Sequence, residues 1–217
     1  MLKIFASSED PDSLGNRFRN RRFNFFEQQI QKLKKPIRIL DVGGLESFWV
    51  NRNYHLKNDV QITLLNLEAV PSNYPNMISM IGDATNLSHF PDNSFDVVFS
   101  NSVIEHLYTR SNQEKMANEI KRVGVHYFVQ TPNKYFIIEP HYLLPGFQFL
   151  SPRIKYFLLT KTRLSRGKFW DKQFAQQYIN EIRLLDESEM VALFPNGLIY
   201  KERFFGLVKS FTAHNFL

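Results

Sequence analysis

Polar residues that could bind a nucleoside recur at the ends of short apolar runs in this chain. Asp41-Val42-Gly43-Gly44 closes the run 37–42, Glu68 closes 60–67, and Gly82-Asp83-Ala84 closes 77–81. Ser100-Asn101-Ser102 ends the run 95–100, and Thr131-Pro132-Asn133 follows 125–130. An acid about 20 or more residues beyond a glycine turn is placed to take the two hydroxyls of a ribose. Glu68 stands 25 positions after Gly43. Neither GxGxxG nor GxxxxGK[ST] occurs, and Asp41 beside the turn would repel a pyrophosphate, so the ligand reads as a nucleoside without phosphates. Each residue has a plainer reading: Gly43-Gly44 as an ordinary turn, Glu68 as a surface acid, Asp83 as a helix cap. Their joint occurrence at successive run ends favours a shared site.

Two further groups could act on a substrate. His106 follows Glu105, and a histidine's unperturbed pKa of about 6.5 suits a general base; packing or hydrogen bonding is its other reading. Glu139-Pro140-His141-Tyr142 lies among Ile137, Ile138, Leu143 and Leu144. Polar residues so embedded read as a pocket wall that orients a substrate hydroxyl or amine, or as a structural pair. Glu139 and His141 also raise a metal, but two ligands without a third at recognisable spacing do not define one, so no metal is expected.

The runs that carry these residues are near-continuously apolar, as strands buried on both faces are, with helices between them: an open α/β sheet. Helices are expected over 24–35, over 111–123 with Met116, Ile120 and Val123 on one stripe, and from Asp186 to Phe194. Residues 198–205 and 207–213, divided by Gly206, read as an antiparallel hairpin at a sheet edge. Residues 132–180 are rich in proline and aromatics, lack a clear period, and read as a cover.

The 217 residues fit one domain over 37–217 preceded by an N-terminal helical segment, 1–36. An apolar content of 43% excludes intrinsic disorder, and the absence of cysteine excludes disulfides, a cysteine nucleophile and thiolate metal clusters. With no long apolar span and no secretory signal, a cytoplasmic location is expected. The net charge of +6 is local: residues 17–38 hold eight basic side chains to one acid, and 151–173 hold seven to one. Such clusters suit RNA or an anionic membrane surface, or are solvated helix faces. Basic and aromatic residues interleave over 153–173, which reads foremost as an amphipathic lid.

ILDVGG (39–44), LNLE (65–68), GDATNL (82–87), FPDNSFDVVFSNSVIEHL (90–107) and QTPNKYF (130–136) together resemble the class I S-adenosylmethionine-dependent methyltransferases of the type 11 domain branch. The resemblance covers about residues 37–213. It implies a doubly wound, mostly parallel seven-stranded sheet with an antiparallel C-terminal hairpin. It also implies S-adenosylmethionine as cofactor, and methyl transfer to a small-molecule, glycan or lipid-intermediate acceptor. RNA methylation and a degenerate, non-catalytic nucleoside-binding domain are the alternatives. By the family pattern Gly43 and Gly44 let the backbone approach the donor, Asp41 faces its ammonium and Glu68 takes the ribose. Asp83 and Ala84 flank the adenine, and Asn101 and Ser102 lie beside the methionine moiety. Glu139, His141 and Tyr142 are expected on the acceptor and His106 as its base. The chain departs from the family where Leu45 and Ser47 replace the later glycines of the turn, which bears on donor binding.

Overall fold

A computed structural model describes residues 14–69 and 71–216. The first thirteen residues of the expected N-terminal segment lie outside the described residues. Five parallel strands, β1 (Ile37–Val42), β2 (Val60–Asn66), β3 (Met77–Ile81), β4 (Phe95–Asn101) and β5 (Gly124–Pro132), form a sheet in the order β3-β2-β1-β4-β5. The antiparallel hairpin of β8 (Leu198–Phe204) and β9 (Leu207–His214) extends it through β9 against β5, making seven strands. The winding reverses between β1 and β4, the point where open α/β sheets bind ligands.

Strand residues alternate between two cores. Leu40, Val42, Leu65 and Val98 pack under α3 (Arg110–Val123) and α6 (Glu187–Leu193). Ile39, Ile62, Leu64, Phe99 and Phe128 face the other way, under α1 (Leu14–Ile30) and the short α2 (Glu46–Val50). Caps fix the helix starts: the Thr109 hydroxyl accepts from the Asn112 N–H, and Asp186 and Glu189 form a reciprocal capping box.

Two segments differ from the sequence reading. The first helix begins at Leu14 and ends at Ile30, so 31–35 form the turn into β1 rather than its last turn. The arginine-rich stretch belongs to it because Arg22 turns inward, where Nη1 lies 3.2 Å from Glu202 Oε1 and Nη2 donates to Asn101 Oδ1 at 2.9 Å. The cover over 132–180 contains the small ribbon of β6 (Ile138–Glu139) and β7 (Leu144–Pro145) and the helices α4 (Pro152–Lys161) and α5 (Lys172–Glu181). Tyr142, Phe147, Leu159 and Trp170 build a third core there. Its period is obscured because Ile154 and Phe157 of α4 are exposed while Leu159 is buried. Among the described residues no helix is long and apolar enough to cross a membrane.

Arg22 and Glu202 are both buried, so removing Arg22 leaves the Glu202 carboxylate with only Lys209 at 3.4 Å to offset its charge. Arg22→Ala is expected to cost about 2–4 kcal/mol in urea unfolding, and pairing Arg22→Met with Glu202→Leu to recover part of it, less than for an isolated pair because Lys209 loses its partner. A single-variant cost under about 0.5 kcal/mol would show that α1 is not held this way.

Candidate active site

Asp41, Glu68 and Asp83 stand at or just past the carboxyl ends of β1, β2 and β3, three neighbouring strands of one rim. They differ in what they face. Asp41 is buried, and its Oδ2 accepts from Trp49 Nε1 at 2.6 Å. A Cβ on Gly44 would fall 1.7 Å from that oxygen, so the carboxylate fills the space under the turn and only glycine fits above it. Gly43 has φ +74°, and a Cβ there would meet Val103 Cγ2 at 2.5 Å. The Gly43 N–H donates to Leu65 O, and Asn66 Nδ2 donates to Gly44 O at 2.8 Å, so β2 holds the turn as well. Leu45 is the exposed N-cap of α2 and Ser47 lies within that helix.

Glu68 is exposed two residues past β2. Asp83 is exposed, its Oδ1 accepts from the N–H and hydroxyl of Thr85 in a local turn, and Ala84 packs against the core beside it. On the β4 side, Asn101 accepts from Arg22, while Ser102, at φ +59°, donates from its hydroxyl to Gln130 Oε1 at 2.9 Å. Asn101 and Ser102 line a cavity of about 270 Å³ between α1, the cover and the C-terminal hairpin. Its wall carries Arg19, Arg22, Arg166, Lys209 and Glu202 beside Phe18, Phe136, Ile138, Leu143 and Phe204. Asp41, Gly43, Gly44, Glu68 and Asp83 are not among its lining residues.

The expected base and pocket-wall residues converge. His106 Nδ1 lies 2.6 Å from Glu181 Oε1, and His141 Nδ1 lies 2.6 Å from Glu139 Oε1. The two imidazoles meet edge to face, with centroids 5.0 Å apart. Glu139 Oε2 accepts from the Tyr142 N–H at 2.8 Å, and the Tyr142 hydroxyl donates to Tyr178 O at 3.1 Å. Beneath them Glu105, 0% exposed, accepts from the Thr131 hydroxyl at 3.0 Å. Burial pushes the Glu105 carboxyl up, against the pull of His141 and His106. Burial also opposes charge on His141, but its bond to Glu139 and the nearby Glu105 outweigh it and hold the imidazole above its ordinary value. Sequence reasoning missed Glu105, Thr131 and Glu181 as partners; the Glu-His pair and the polar end of β5 were the available signals. Asn66, within LNLE, was likewise passed over as a support of the turn.

Residues 40–125, from the second half of β1 through α3 to the start of β5, match the model of the methyltransferase domain family. No curated protein matches the chain. Among solved structures, a methyltransferase from Methanosarcina mazei is 15% identical with a TM-score of 0.52, covering 85% of this chain and 93% of that one. A protein from Pyrococcus horikoshii OT3 is 15% identical with a TM-score of 0.52, covering 95% of each chain. A chain from a Haloferax volcanii complex of a methyltransferase with its activator is 10% identical, with a TM-score of 0.50 and coverage of 94% and 93%. These likenesses are of fold. The family match covers 86 of the 217 residues and takes in the Asp41–Gly44 turn at the end of β1.

Burial raises the Asp41 carboxyl to about 7, opposed by its bond from Trp49. Between an unfolded value of about 3.9 and that folded value, the folded state holds a proton the unfolded chain lacks, so stability falls as pH rises through this window. Asp41→Asn is expected to remove this slope and to gain about 2–3 kcal/mol on the native protein between pH 5 and pH 8 in urea unfolding. Parallel stability curves for the two proteins would contradict the buried, protonated carboxyl.

Proposed function

We propose that the protein transfers the methyl group of S-adenosylmethionine to a small acceptor that carries an anionic group beside an apolar body, glycan or lipid intermediates with acid or phosphate groups included. The cavity beside β4 carries this reading. Its lining holds four cations, Arg19, Arg22, Arg166 and Lys209, to one acid, Glu202, beside phenylalanines, so the wall is net positive. Charge-assisted bonds would take the anion and the rings the apolar part.

The residues of the rim fit the methyl donor. The exposed Gly43 leaves the backbone open to approach, and the exposed Glu68 carboxylate suits ribose hydroxyls. Asp83 and Ala84 would flank the adenine, with Asn101 and Ser102 on the side of the methionine moiety. Asp41 supports this surface from below, holding Gly44 and Trp49 rather than presenting its charge. When bound, the donor supplies an electrophilic methyl on a sulfonium, and holding the acceptor in line with it is the main task left to the protein. His106, oriented by Glu181, would take the acceptor's proton, and Glu139, His141 and Tyr142 would shape the wall behind it.

An RNA acceptor is less well supported, because Arg22 of the first basic cluster is turned into the protein rather than displayed to a phosphate backbone. Calorimetry with S-adenosylhomocysteine should give saturable binding. Glu68→Ala should weaken it about tenfold to a hundredfold, the scale of a lost charge-assisted hydrogen bond, with the unfolding midpoint unchanged. Absence of binding by the native protein would instead favour the degenerate domain.

A further inference from the structure

The structure assigns to Glu105, His106 and His141 a binding site for one divalent first-row transition-metal cation, with Glu181 and Glu139 fixing the two imidazoles. Each of the three offers a ligand atom, and these atoms lie within 4.8 Å of one another. Glu105 Oε1 and His141 Nε2 are 3.9 Å apart. Around a cation with bonds of about 2.0–2.2 Å, adjacent ligand atoms sit roughly 3–3.5 Å apart, so small side-chain movements would close the set.

A second observation points to the same occupant. Glu105 is fully buried, yet among the described residues no donor reaches its Oε1, while Oε2 takes the Thr131 hydroxyl. A buried carboxylate oxygen without a partner is costly, and 3.9 Å is too long for an imidazole N–H to serve it. A cation between them would satisfy it.

The histidines are also set as ligands are. Each Nδ1 is held at 2.6 Å by a carboxylate, His106 by Glu181 and His141 by Glu139. A carboxylate there fixes Nδ1 as the protonated nitrogen, orients the ring and leaves the Nε2 lone pair free to bind metal. Two imidazoles with one carboxylate favour manganese, iron, cobalt, nickel or zinc over magnesium or calcium, which prefer all-oxygen sets. Three protein ligands leave coordination positions open to water or substrate oxygen.

The site does not depend on methyl transfer, and a cation on His106 Nε2 would replace the proton-accepting role proposed above for that nitrogen, so its test reads the metal alone. Protein stripped with a chelator would be titrated separately with Co(II), Zn(II) and Mg(II), by calorimetry and, for cobalt, visible absorption. The expected result is one equivalent of Co(II) or Zn(II) bound at micromolar or tighter affinity, with cobalt ligand-field bands, a raised thermal midpoint and far weaker Mg(II) binding. Glu105→Gln should keep or raise the midpoint of the stripped protein, because an unpaired buried charge is gone, while weakening Co(II) binding at least about a hundredfold. Glu139→Gln should weaken it about tenfold to a hundredfold, as loss of an orienting carboxylate does. No stoichiometric binding to the native protein, equal affinity for Mg(II), or native-like binding by Glu105→Gln would overturn the assignment and leave a structural cluster. Titration of the stripped protein with S-adenosylhomocysteine keeps this outcome separate from that of the donor site.

Discussion

Parallel pairing in register is the constraint on which the rest of the molecule depends. Asp41 sits opposite Leu64 of β2 and Phe99 of β4, and Asn66 sits opposite Ile81 of β3, so the carboxyl ends of these strands finish at one rim. A slip of one residue in any strand would exchange its two buried faces, sending Ile39 where Leu40 must go. Because both faces are packed, the register is fixed twice over, and the polar residues that end each strand are brought to one rim. The reversal between β1 and β4 then opens the crevice beside the Gly43-Gly44 turn.

On the β4 side the burial of charge does comparable work. Arg22 of α1 reaches Asn101 at the end of β4 and Glu202 of the edge strand β8, and Ser210 of β9 donates to the same carboxylate at 3.0 Å. One ion pair thus ties the first helix, the sheet rim and the C-terminal hairpin around the cavity. Glu105 plays a parallel part toward the cover. Its side-chain neighbours come from the end of β5 and from His141, while the adjacent His106 meets Glu181 in the last turn of α5, so closing the cover and assembling the His106–His141 cluster are one event.

The sheet was legible in the sequence because its strands are short apolar runs that stop at polar residues. Runs at 37–42 and 77–81 coincide with β1 and β3, those at 60–67 and 95–100 differ from β2 and β4 by one residue at the end, and 125–130 falls short of β5 at both ends. Helix α3, the α6 cap and the β8–β9 hairpin were readable for the same reason, since local patterning sets them. The first helix was misplaced because an arginine that pairs with a residue 180 positions away looks, locally, like a solvated one. The cover helices were hidden because their apolar residues face several ways. Asp41 shows the sharper limit: its place at the rim followed from the strand, but its rotamer, turned under Gly44 to Trp49, depends on packing that no spacing encodes. Glu181 meets His106, and Glu105 meets His141, only through tertiary closure.

The central claim is that the rim formed by β1, β2, β3 and β4 is where the methyl donor binds. Amide hydrogen exchange, with and without S-adenosylhomocysteine, tests it directly. The account predicts slowed exchange confined to residues 43–47, 66–69, 82–86 and 101–104, the four strand-end segments. Protection elsewhere, or none in these segments under saturating ligand, would contradict it.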